Sequence, residues 1–460
     1  MKKALALILA CMMSLSIFAG CNNSSSSSTE SSASGTTSTD ASSEGGDSAE
    51  AEQMDVRVVS ATTSGTVIYE KIDELCQNYM AEHPNVTITF EGLSSGELRT
   101  KLSVEFAAGS QPDVSWIPAS YAREYTKSGQ IIDWAPVIEE DAELKSYFSD
   151  VMWNNASNED GQIMFCPSEL SFDSLYYNKE IFEANGWTPP ETWTEFIALC
   201  DEINAAGLSP LVNGGADSRF AWLASALLSR TGGLDNFKAL TVGDAMTSWN
   251  DPAYGFVEAM EKFKEMVDHN AYYPGCMGMT ATEADEVFAR GEAVMYYEGA
   301  WKPANFEAAG GAEFIAKLGR VDFPIMEDCP DGDTNNVGGA IVGYYVSSGL
   351  SEAKEDVCIE LVKNIASPEF NVEIVETGTY LYAGECDYDE SKVSDIMNEC
   401  IKAAHEATDF IASMDAIAAP AIDLAIKGTA MPGLLTGEYT VDEAVAEVQK
   451  AAEDYVASLQ

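Results

Sequence analysis

The chain has 460 residues, of which 46% are apolar and 22% charged, a composition that excludes a wholly disordered protein and suffices for two or three domains. Asp and Glu number 75 against 25 Lys and Arg, giving a formal net charge of −50 that no basic stripe offsets. This excess excludes nucleic acid as a partner, because neutralising phosphates requires clustered cations. It also argues against holding the folded body on an anionic lipid surface.

The first residues have the features of a secretory signal peptide. Lys2 and Lys3 precede an apolar run from Ala4 to about Ala19, which predicts a signal peptide over residues 1–20. The run is too short for the first helix of a polytopic membrane protein, and no later stretch approaches 18 uninterrupted apolar residues. We therefore expect an exported protein that does not span a membrane.

A lipid anchor is expected directly after this segment. The residues Ala19-Gly20-Cys21 resemble a bacterial lipobox, in which the cysteine carries the lipid, whereas plain secretion with an unmodified Cys21 is the alternative. Residues 22–53 contain 12 Ser and 4 Thr but no Lys, Arg or aromatic residue. We therefore expect residues 21–53 to be a lipidated Cys and a disordered linker, which holds the folded body at the extracellular face of the cytoplasmic membrane.

Alternating strands and helices open the folded part. The patterns predict strands at 55–59, 86–90 and 112–116, with helices at 67–81 and about 97–108. This βαβαβ order predicts a parallel sheet whose strands end in ligand-facing loops. The loops at 62–65, 91–96 and 116–121 contain five candidate ligand-binding residues: Ser64, Glu91, Trp116, Ser120 and Tyr121.

The central region is mainly helical. Thr192 and Glu195 form a capping box, and apolar residues repeat at helical spacing after it. Further helices are predicted at 253–267 and 282–289, followed by a buried strand at 293–297. The remaining predicted elements are a strand at 338–347 and helices at 352–365 and 441–457.

The residues that enzymes use are sparse. The chain has only three His, none in a recognised motif, and it contains no GxSxG, HExxH or phosphate-loop sequence. We expect no catalytic residue, no metal site and no cofactor, although 75 acids guarantee accidental carboxylate pairs of the kind that hydrolyse glycosides.

Three tryptophans point instead to a sugar. Trp116, Trp222 and Trp301 lie close to predicted loops or turns rather than at the centre of strands. An indole packs on the C–H face of a sugar, while the hydroxyls need polar partners such as Asp217 and Arg219. For each tryptophan taken singly, packing in the core is the default interpretation.

Three separated segments resemble one known family. The first is Tyr-Tyr-Asn-Lys-Glu-Ile-Phe at 176–182, with Gly-Trp-Thr-Pro-Pro-Glu-Thr-Trp-Thr-Glu-Phe at 186–196. The second is Phe-Ala-Arg-Gly-Glu-Ala-Val-Met at 288–295, with Glu-Gly-Ala-Trp at 298–301, and the third is Leu-Thr-Gly-Glu-Tyr-Thr-Val-Asp-Glu-Ala at 435–444. In this order they resemble the family 1 extracellular solute-binding proteins, the maltose-binding-protein-like carbohydrate receptors of bacterial ABC importers.

The resemblance implies an α/β fold of the type II periplasmic-binding-protein class, in which a multi-segment hinge joins two lobes around a ligand cleft. It places lobe 1 at 55–168 plus about 322–370, and lobe 2 at 169–321 plus about 371–460. The first hinge crossing is expected near 166–171 and the second near 320–324.

The resemblance also implies roles for individual residues. Trp301 corresponds to the family's sugar-stacking tryptophan, and Trp222 with Asp217 and Arg219 corresponds approximately to a polar and aromatic cluster in lobe 2. Glu298 lies where relatives often have an uncharged residue, which implies a charged or unusually polar group on the ligand.

The expected function is therefore that of a membrane-anchored receptor, not an enzyme. It would capture a sugar, expected to be an oligosaccharide, by closing its lobes, and deliver it as a monomer to the permease subunits of an ABC importer. A receptor of the same fold for a peptide or polyamine, and less so a surface glycoside hydrolase, are the alternatives.

Overall fold

A computed structural model of the chain describes residues 53–217, 219–329, 336–407 and 410–459. The predicted signal peptide, Cys21 and the linker up to residue 52 lie outside the described residues, so these stay predictions. The described residues form one compact unit. In the part of the chain that the structure describes, no helix combines the length and the apolar character that crossing a membrane requires.

The described residues form ten strands and twenty α-helices. The strands are β1 Met54–Ser60, β2 Val86–Gly92, β3 Val114–Pro118, β4 Cys166–Asn178, β5 Ser209–Leu211, β6 Ala293–Gly299, β7 Leu318–Val321, β8 Asn336–Val346, β9 Leu381–Tyr382 and β10 Phe410–Ile411.

The helices are α1 Val67–Glu82, α2 Ser95–Ala108, α3 Ala119–Lys127, α4 Trp134–Glu140, α5 Ala142–Ser146, α6 Asp150–Asn155, α7 Lys179–Asn185, α8 Trp193–Ala205, α9 Phe220–Thr241, α10 Phe256–Asp268, α11 Ala281–Ala289, α12 Lys302–Gly310, α13 Ala312–Ile315, α14 Glu352–Ala366, α15 Pro368–Glu376, α16 Asp395–Glu406, α17 Met414–Ile417, α18 Pro420–Ala425, α19 Met431–Thr436 and α20 Val441–Ser458.

The first sheet begins as the sequence predicts. β1 pairs in parallel with β2 on one side and with β3 on the other, so the parallel order expected from the βαβαβ pattern is confirmed. Side-chain caps fix where the intervening helices start, since Thr66 accepts from the backbone N–H of Tyr69 and Ser94 forms a capping box with Glu97. β8 then adds to β3 in the antiparallel direction.

One long strand belongs to two sheets. The first part of β4, up to Phe172, pairs with β8, whereas Asp173–Tyr177 pairs with β6. At this change of partner, Gly338 has φ of +149°, and a Cβ there would lie 2.1 Å from the carbonyl oxygen of Ser171. Only glycine permits so close an approach of β8 to β4.

Successive side chains of β4 point to opposite faces of the sheet and pack in two different hydrophobic cores. Tyr176 and its partner Tyr296 pack in the core that also covers the first sheet, whereas Leu175 and Tyr297 pack in the second core. The second core also contains buried residues of α8, α9, α10 and α20. The backbone of β4 thereby connects the two sheets.

The lobe boundaries stay predictions, although the pairing of the later strands bears on them. β9 pairs with Glu169 and Leu170 in the first part of β4, so residues 381–382 lie in the first sheet. β10 pairs in parallel with the start of β8, at Asn336 and Val337. Three described segments therefore meet near the change of partner on β4: β4 itself, the start of β8 and β10.

Candidate functional site

The carboxyl ends of strands from both sheets are directed towards the same part of β4. β3 and β4 are both antiparallel to β8, so the end of β3 points towards the later residues of β4. β6 is antiparallel to β4 with Asp173 opposite Gly299, and β5 is parallel to β6. Loops that follow parallel strands at such an edge are the usual place for a ligand in α/β proteins.

Two tryptophans and an arginine form the centre of the candidate site. The ring centroids of Trp222 and Trp301 lie 5.3 Å apart at an angle of 56°. The Cζ atom of Arg219 lies 4.6 Å from the centroid of the Trp222 ring, a cation–π contact. Both indoles are half-buried, so each keeps a surface that a ligand can contact. The structure thus brings together three of the residues that the sequence singled out.

Gly299 sets the position of the Trp301 indole. A Cβ at residue 299 would lie 2.0 Å from the Trp301 ring, so the ring lies directly against the glycine backbone. Any side chain at this position would push the indole away. The motif Glu-Gly-Ala-Trp at 298–301 therefore has a steric reason for its glycine.

Trp222 lies in the first turn of α9, close to the turn at 215–217, as predicted. Trp116 was also predicted to border a loop, but it lies in the middle of β3, opposite Tyr344, and is only 6% exposed. The placement of Trp116 was wrong because β3 extends to Pro118. Trp301 does lie in a turn, between β6 and α12.

Asp217 has a partner within the chain. Its Oδ2 accepts a hydrogen bond of 2.6 Å from the backbone N–H of Ala281, the first residue of α11. This bond ties the end of the loop after β5 to a helix N-terminus, which a carboxylate also favours electrostatically. A role for Asp217 in contacting a ligand stays a prediction.

Glu298 is fully buried at the end of β6. Its Oε2 lies 3.8 Å from Nη1 of Arg219, and its Oε1 has no hydrogen-bond partner among the described residues. Burial raises the pKa of this carboxyl group, and the charges of Arg219 and Lys302 oppose the rise, while Asp285 adds to it. The carboxylate is therefore incompletely compensated within the chain.

Asp173, which the sequence analysis missed, lies beside this cluster. It is 3% exposed, and neither of its carboxylate oxygens has a hydrogen-bond partner among the described residues. Burial raises its pKa well above the usual range, the negative charges of Glu298 and Asp415 raise it further, and Arg219 opposes them. The signal in the sequence was a single acid within the apolar run Leu-Ser-Phe-Asp-Ser-Leu-Tyr at 170–176.

A second polar cluster lies on the first sheet. The indole N–H of Trp116 donates to Oε1 of Glu169 at 3.1 Å, and the hydroxyls of Ser60 and Tyr344 lie 2.6 Å apart. Burial raises the pKa of Glu169 to about 7, and the Trp116 N–H acts in the opposite direction. Glu169 also was not singled out from the sequence, because its place beside Trp116 depends on the pairing of β4 with β8.

The other candidates lie around the first sheet. Ser64 is exposed in the loop between β1 and α1, and Ser120 and Tyr121 are half-buried in the first turn of α3. Glu91 lies within β2, not in the loop after it as predicted, and Lys101 Nζ binds its carboxylate at 2.8 Å. Across the described ranges, no group of three or more His, Cys, Asp or Glu has the arrangement of a metal site.

Comparisons with known proteins identify relatives of this chain. Residues 74–383 match the model of the family described as bacterial extracellular solute-binding protein. The sn-glycerol-3-phosphate-binding periplasmic protein UgpB of Brucella abortus is 26% identical over 249 residues, 52% of this chain and 53% of UgpB. The diacetylchitobiose binding protein NgcE of Streptomyces coelicolor is 29% identical over 143 residues, 30% of each chain. This chain spans about half the length of the first of these relatives, and less of the second.

A solved structure shows the same fold. A chitin oligosaccharide binding protein superposes with a TM-score of 0.74, covering 87% of this chain and 98% of the other at 21% sequence identity. The predicted two-lobe α/β fold is confirmed by this similarity, and at this identity the likeness concerns the fold alone.

Proposed function

Because this chain belongs to the family of bacterial extracellular solute-binding proteins, we propose that it is the receptor of an ABC importer and that its ligand is a sugar. The ligand would lie between the two lobes, in contact with the Trp222 and Trp301 indoles. The protein would then deliver the bound sugar to the permease subunits of the importer.

The observation that carries the sugar assignment is the combination of two adjacent indoles and polar groups at one sheet edge. Trp222 and Trp301 offer aromatic faces 5.3 Å apart, and Arg219 and Glu298 lie next to them. A pyranose ring has an apolar C–H face that packs on an indole, while its hydroxyls donate to carboxylates and accept from guanidinium groups. A purely apolar ligand would offer no hydrogen-bonding group to Arg219 or Glu298, which is unfavourable for buried polar groups.

The mechanism of ligand capture follows from the position of the site between the two sheets that β4 joins. Trp222, Trp301 and Glu298 lie on the side of the second sheet, and Trp116 and Glu169 on the side of the first. A ligand that contacts both sides binds the closed form better than the open form, and this difference in affinity shifts the equilibrium towards closure. The permease would recognise the closed form, since only that form presents both lobe surfaces in a fixed arrangement.

The predicted signal peptide and lipid anchor indicate where the protein acts in the cell. The predicted signal peptide at 1–20 and the lipid on Cys21 would anchor a monomer to the extracellular face of the cytoplasmic membrane. A flexible linker of 32 residues has a root-mean-square length of roughly 30 Å, which lets the folded body reach a permease in the same membrane. Mass spectrometry of the N-terminal peptide from a membrane fraction tests the anchor, because an unmodified Cys21 would contradict it.

A ligand screen tests the receptor assignment. The purified chain is heated with mono- and oligosaccharides, peptides and polyamines, and the unfolding temperature is recorded. A ligand that binds only the native state stabilises it by about 2.7 kcal/mol at a hundredfold excess over Kd. Stabilisation by a sugar that is recovered intact supports the receptor, whereas a chemically altered sugar would identify a glycoside hydrolase.

A pair of tryptophan variants tests the site. Trp301→Ala is expected to weaken binding of the identified sugar by ~2–4 kcal/mol, about 30-fold to 700-fold in Kd, as for other buried aromatic anchors. Trp187→Ala is the matched control, because Trp187 is half-buried against Phe182 in the second core. Isothermal calorimetry should show nearly unchanged affinity for the control. An affinity of Trp301→Ala within about threefold of the unmodified chain would remove Trp301 from the site.

A further inference from the structure

The buried acids of this protein fall into two groups. Three of them have a lysine within ion-pair distance: Asp113 with Lys354 at 2.7 Å, Asp285 with Lys302 at 2.5 Å, and Asp423 with Lys427 at 2.6 Å. The other two buried acids of the described residues, Asp173 and Glu298, have no lysine at that distance. Both lie at the candidate site, where, among the described residues, neither carboxylate oxygen of Asp173 has a hydrogen-bond partner.

Arg219 does not complete this pairing. Its guanidinium is packed on the Trp222 ring at 4.6 Å and approaches Glu298 no closer than 3.8 Å. Both oxygens of Asp173 have no hydrogen-bond donor among the described residues. A buried carboxylate without a donor is costly, so a donor from outside the chain would relieve a specific deficit.

Asp173 and the Trp301 indole lie on one face of the second sheet. Asp173 is directly opposite Gly299 in the antiparallel pair of β4 and β6, and directly opposite residues project to the same face. The direction of a Cβ on Gly299 leads into the Trp301 ring at 2.0 Å. A carboxylate and an aromatic ring thus stand side by side, which is the combination that holds an ammonium group.

We propose that the ligand is an amino sugar, and that its positively charged amino group pairs with Asp173 beside the Trp301 indole. This rests on the sugar-receptor function above and adds the chemical class of the sugar. The ammonium supplies donors to the Asp173 oxygens, while the rest of the ring contacts the two tryptophans. Glu298 precedes Gly299 on β6, so its side chain projects to the opposite face of the sheet, and only its negative charge acts on this place.

Three trimers that differ only at one substituent test the proposal. Calorimetry compares trimers of glucosamine, N-acetylglucosamine and glucose with the same linkage, in one buffer near neutral pH. The glucosamine trimer is expected to bind about 10-fold to 100-fold more tightly than the other two, as for a charge-assisted hydrogen bond. Spermidine, which has the charge without the ring, should bind more weakly than the glucosamine trimer.

Two variants locate the charge. Asp173→Asn keeps the size of the side chain and is expected to remove most of the preference for glucosamine while leaving the affinity for the glucose trimer within about threefold. Asp113→Asn removes a buried carboxylate at the other end of β3, where Lys354 already pairs with it, and should leave the preference unchanged. Thermal unfolding of both variants confirms that each is folded before binding is measured.

The outcomes separate this proposal from the receptor function. Equal affinity for the three trimers, or a preference that survives Asp173→Asn, refutes the pairing with an ammonium while the sugar receptor stands. Binding of a neutral sugar without binding of the glucosamine trimer likewise refutes the pairing with an ammonium and leaves the sugar receptor standing. Binding of spermidine with no sugar, or binding of none of these ligands or of the wider sugar panel by the folded protein, refutes the sugar receptor as well.

Discussion

The buried ion pair next to the candidate site permits a quantitative test. Lys302 Nζ lies 2.5 Å from Oδ1 of Asp285, and the two side chains are 2% and 5% exposed. Asp285→Asn keeps the shape of the side chain but removes the carboxylate that pairs directly with the buried Lys302 ammonium. Breaking a buried pair in this way costs about 3–5 kcal/mol of unfolding free energy.

The expected change in melting temperature follows from the size of the protein. An unfolding entropy of ~2.1 cal/mol/K per residue gives roughly 0.85 kcal/mol/K for about 400 residues. Asp285→Asn should therefore lower Tm by about 4–6 °C, measured by calorimetry or circular dichroism on the purified chain. Because α12 starts at Lys302, immediately after Trp301, the variant should also weaken binding of any ligand that contacts Trp301.

A double variant distinguishes loss of the charge pair from loss of packing. Asp285→Leu together with Lys302→Met removes both charges and keeps apolar side chains of similar size, so its Tm should recover to within about 2 °C of the unmodified chain. The reasoning would be refuted if Asp285→Asn had the Tm of the unmodified chain, or if the double variant were less stable than the single one. Either result would mean that solvent or another group compensates Lys302.

Three further predictions concern single residues. Asp173→Asn should raise Tm at pH 8 but not near pH 4, because burial holds the pKa of Asp173 above its unfolded value, so the unmodified chain loses stability as pH rises. The Tm of Glu169→Gln relative to that of the unmodified chain should rise between about pH 4.5 and 7 for the same reason, since the folded pKa of Glu169 is about 7. A Tm difference that stays constant across a pH series would contradict this. Gly299→Ala should weaken sugar binding about as much as Trp301→Ala, because a Cβ displaces the indole, and calorimetry showing unchanged affinity would contradict the close contact.

The elements that the sequence predicted best are those with strong local signals. β1, β2 and β3 follow period-two or apolar patterns, and capping boxes at Thr192 and Thr440 mark the starts of α8 and α20. These signals act within a few residues of the chain. They need no information about which distant segment covers the element.

The elements that were missed depend on distant partners or lack a polar face. α9 was not predicted because most of its residues from Phe220 to Gly233 are buried, so no amphipathic stripe is visible. The double role of β4 was also missed, since its change of partner at Phe172 and Asp173 is fixed by β8 and β6. The hinge was expected near 166–171, slightly before that change.

The same division applies to the candidate site. The sequence alone singled out four residues by their side-chain chemistry, and the structure places them together: Trp222, Trp301, Arg219 and Glu298. Asp173 and Glu169 became recognisable only with burial, because exposed acids are frequent in a chain with 75 of them. What distinguishes Asp173 is the absence of a hydrogen-bond donor to its oxygens among the described residues.

A receptor that recognises a charge must leave the opposite charge uncompensated when no ligand is bound. The described structure has both arrangements side by side: Asp285 has its own lysine, and Asp173, with the same side chain, has none. The identical change from aspartate to asparagine should therefore destabilise the protein at one position and stabilise it at the other, at neutral pH. The stability that Asp173 costs is the free energy that a cationic ligand can recover on binding, so Asp173→Asn should gain stability and lose ligand preference together.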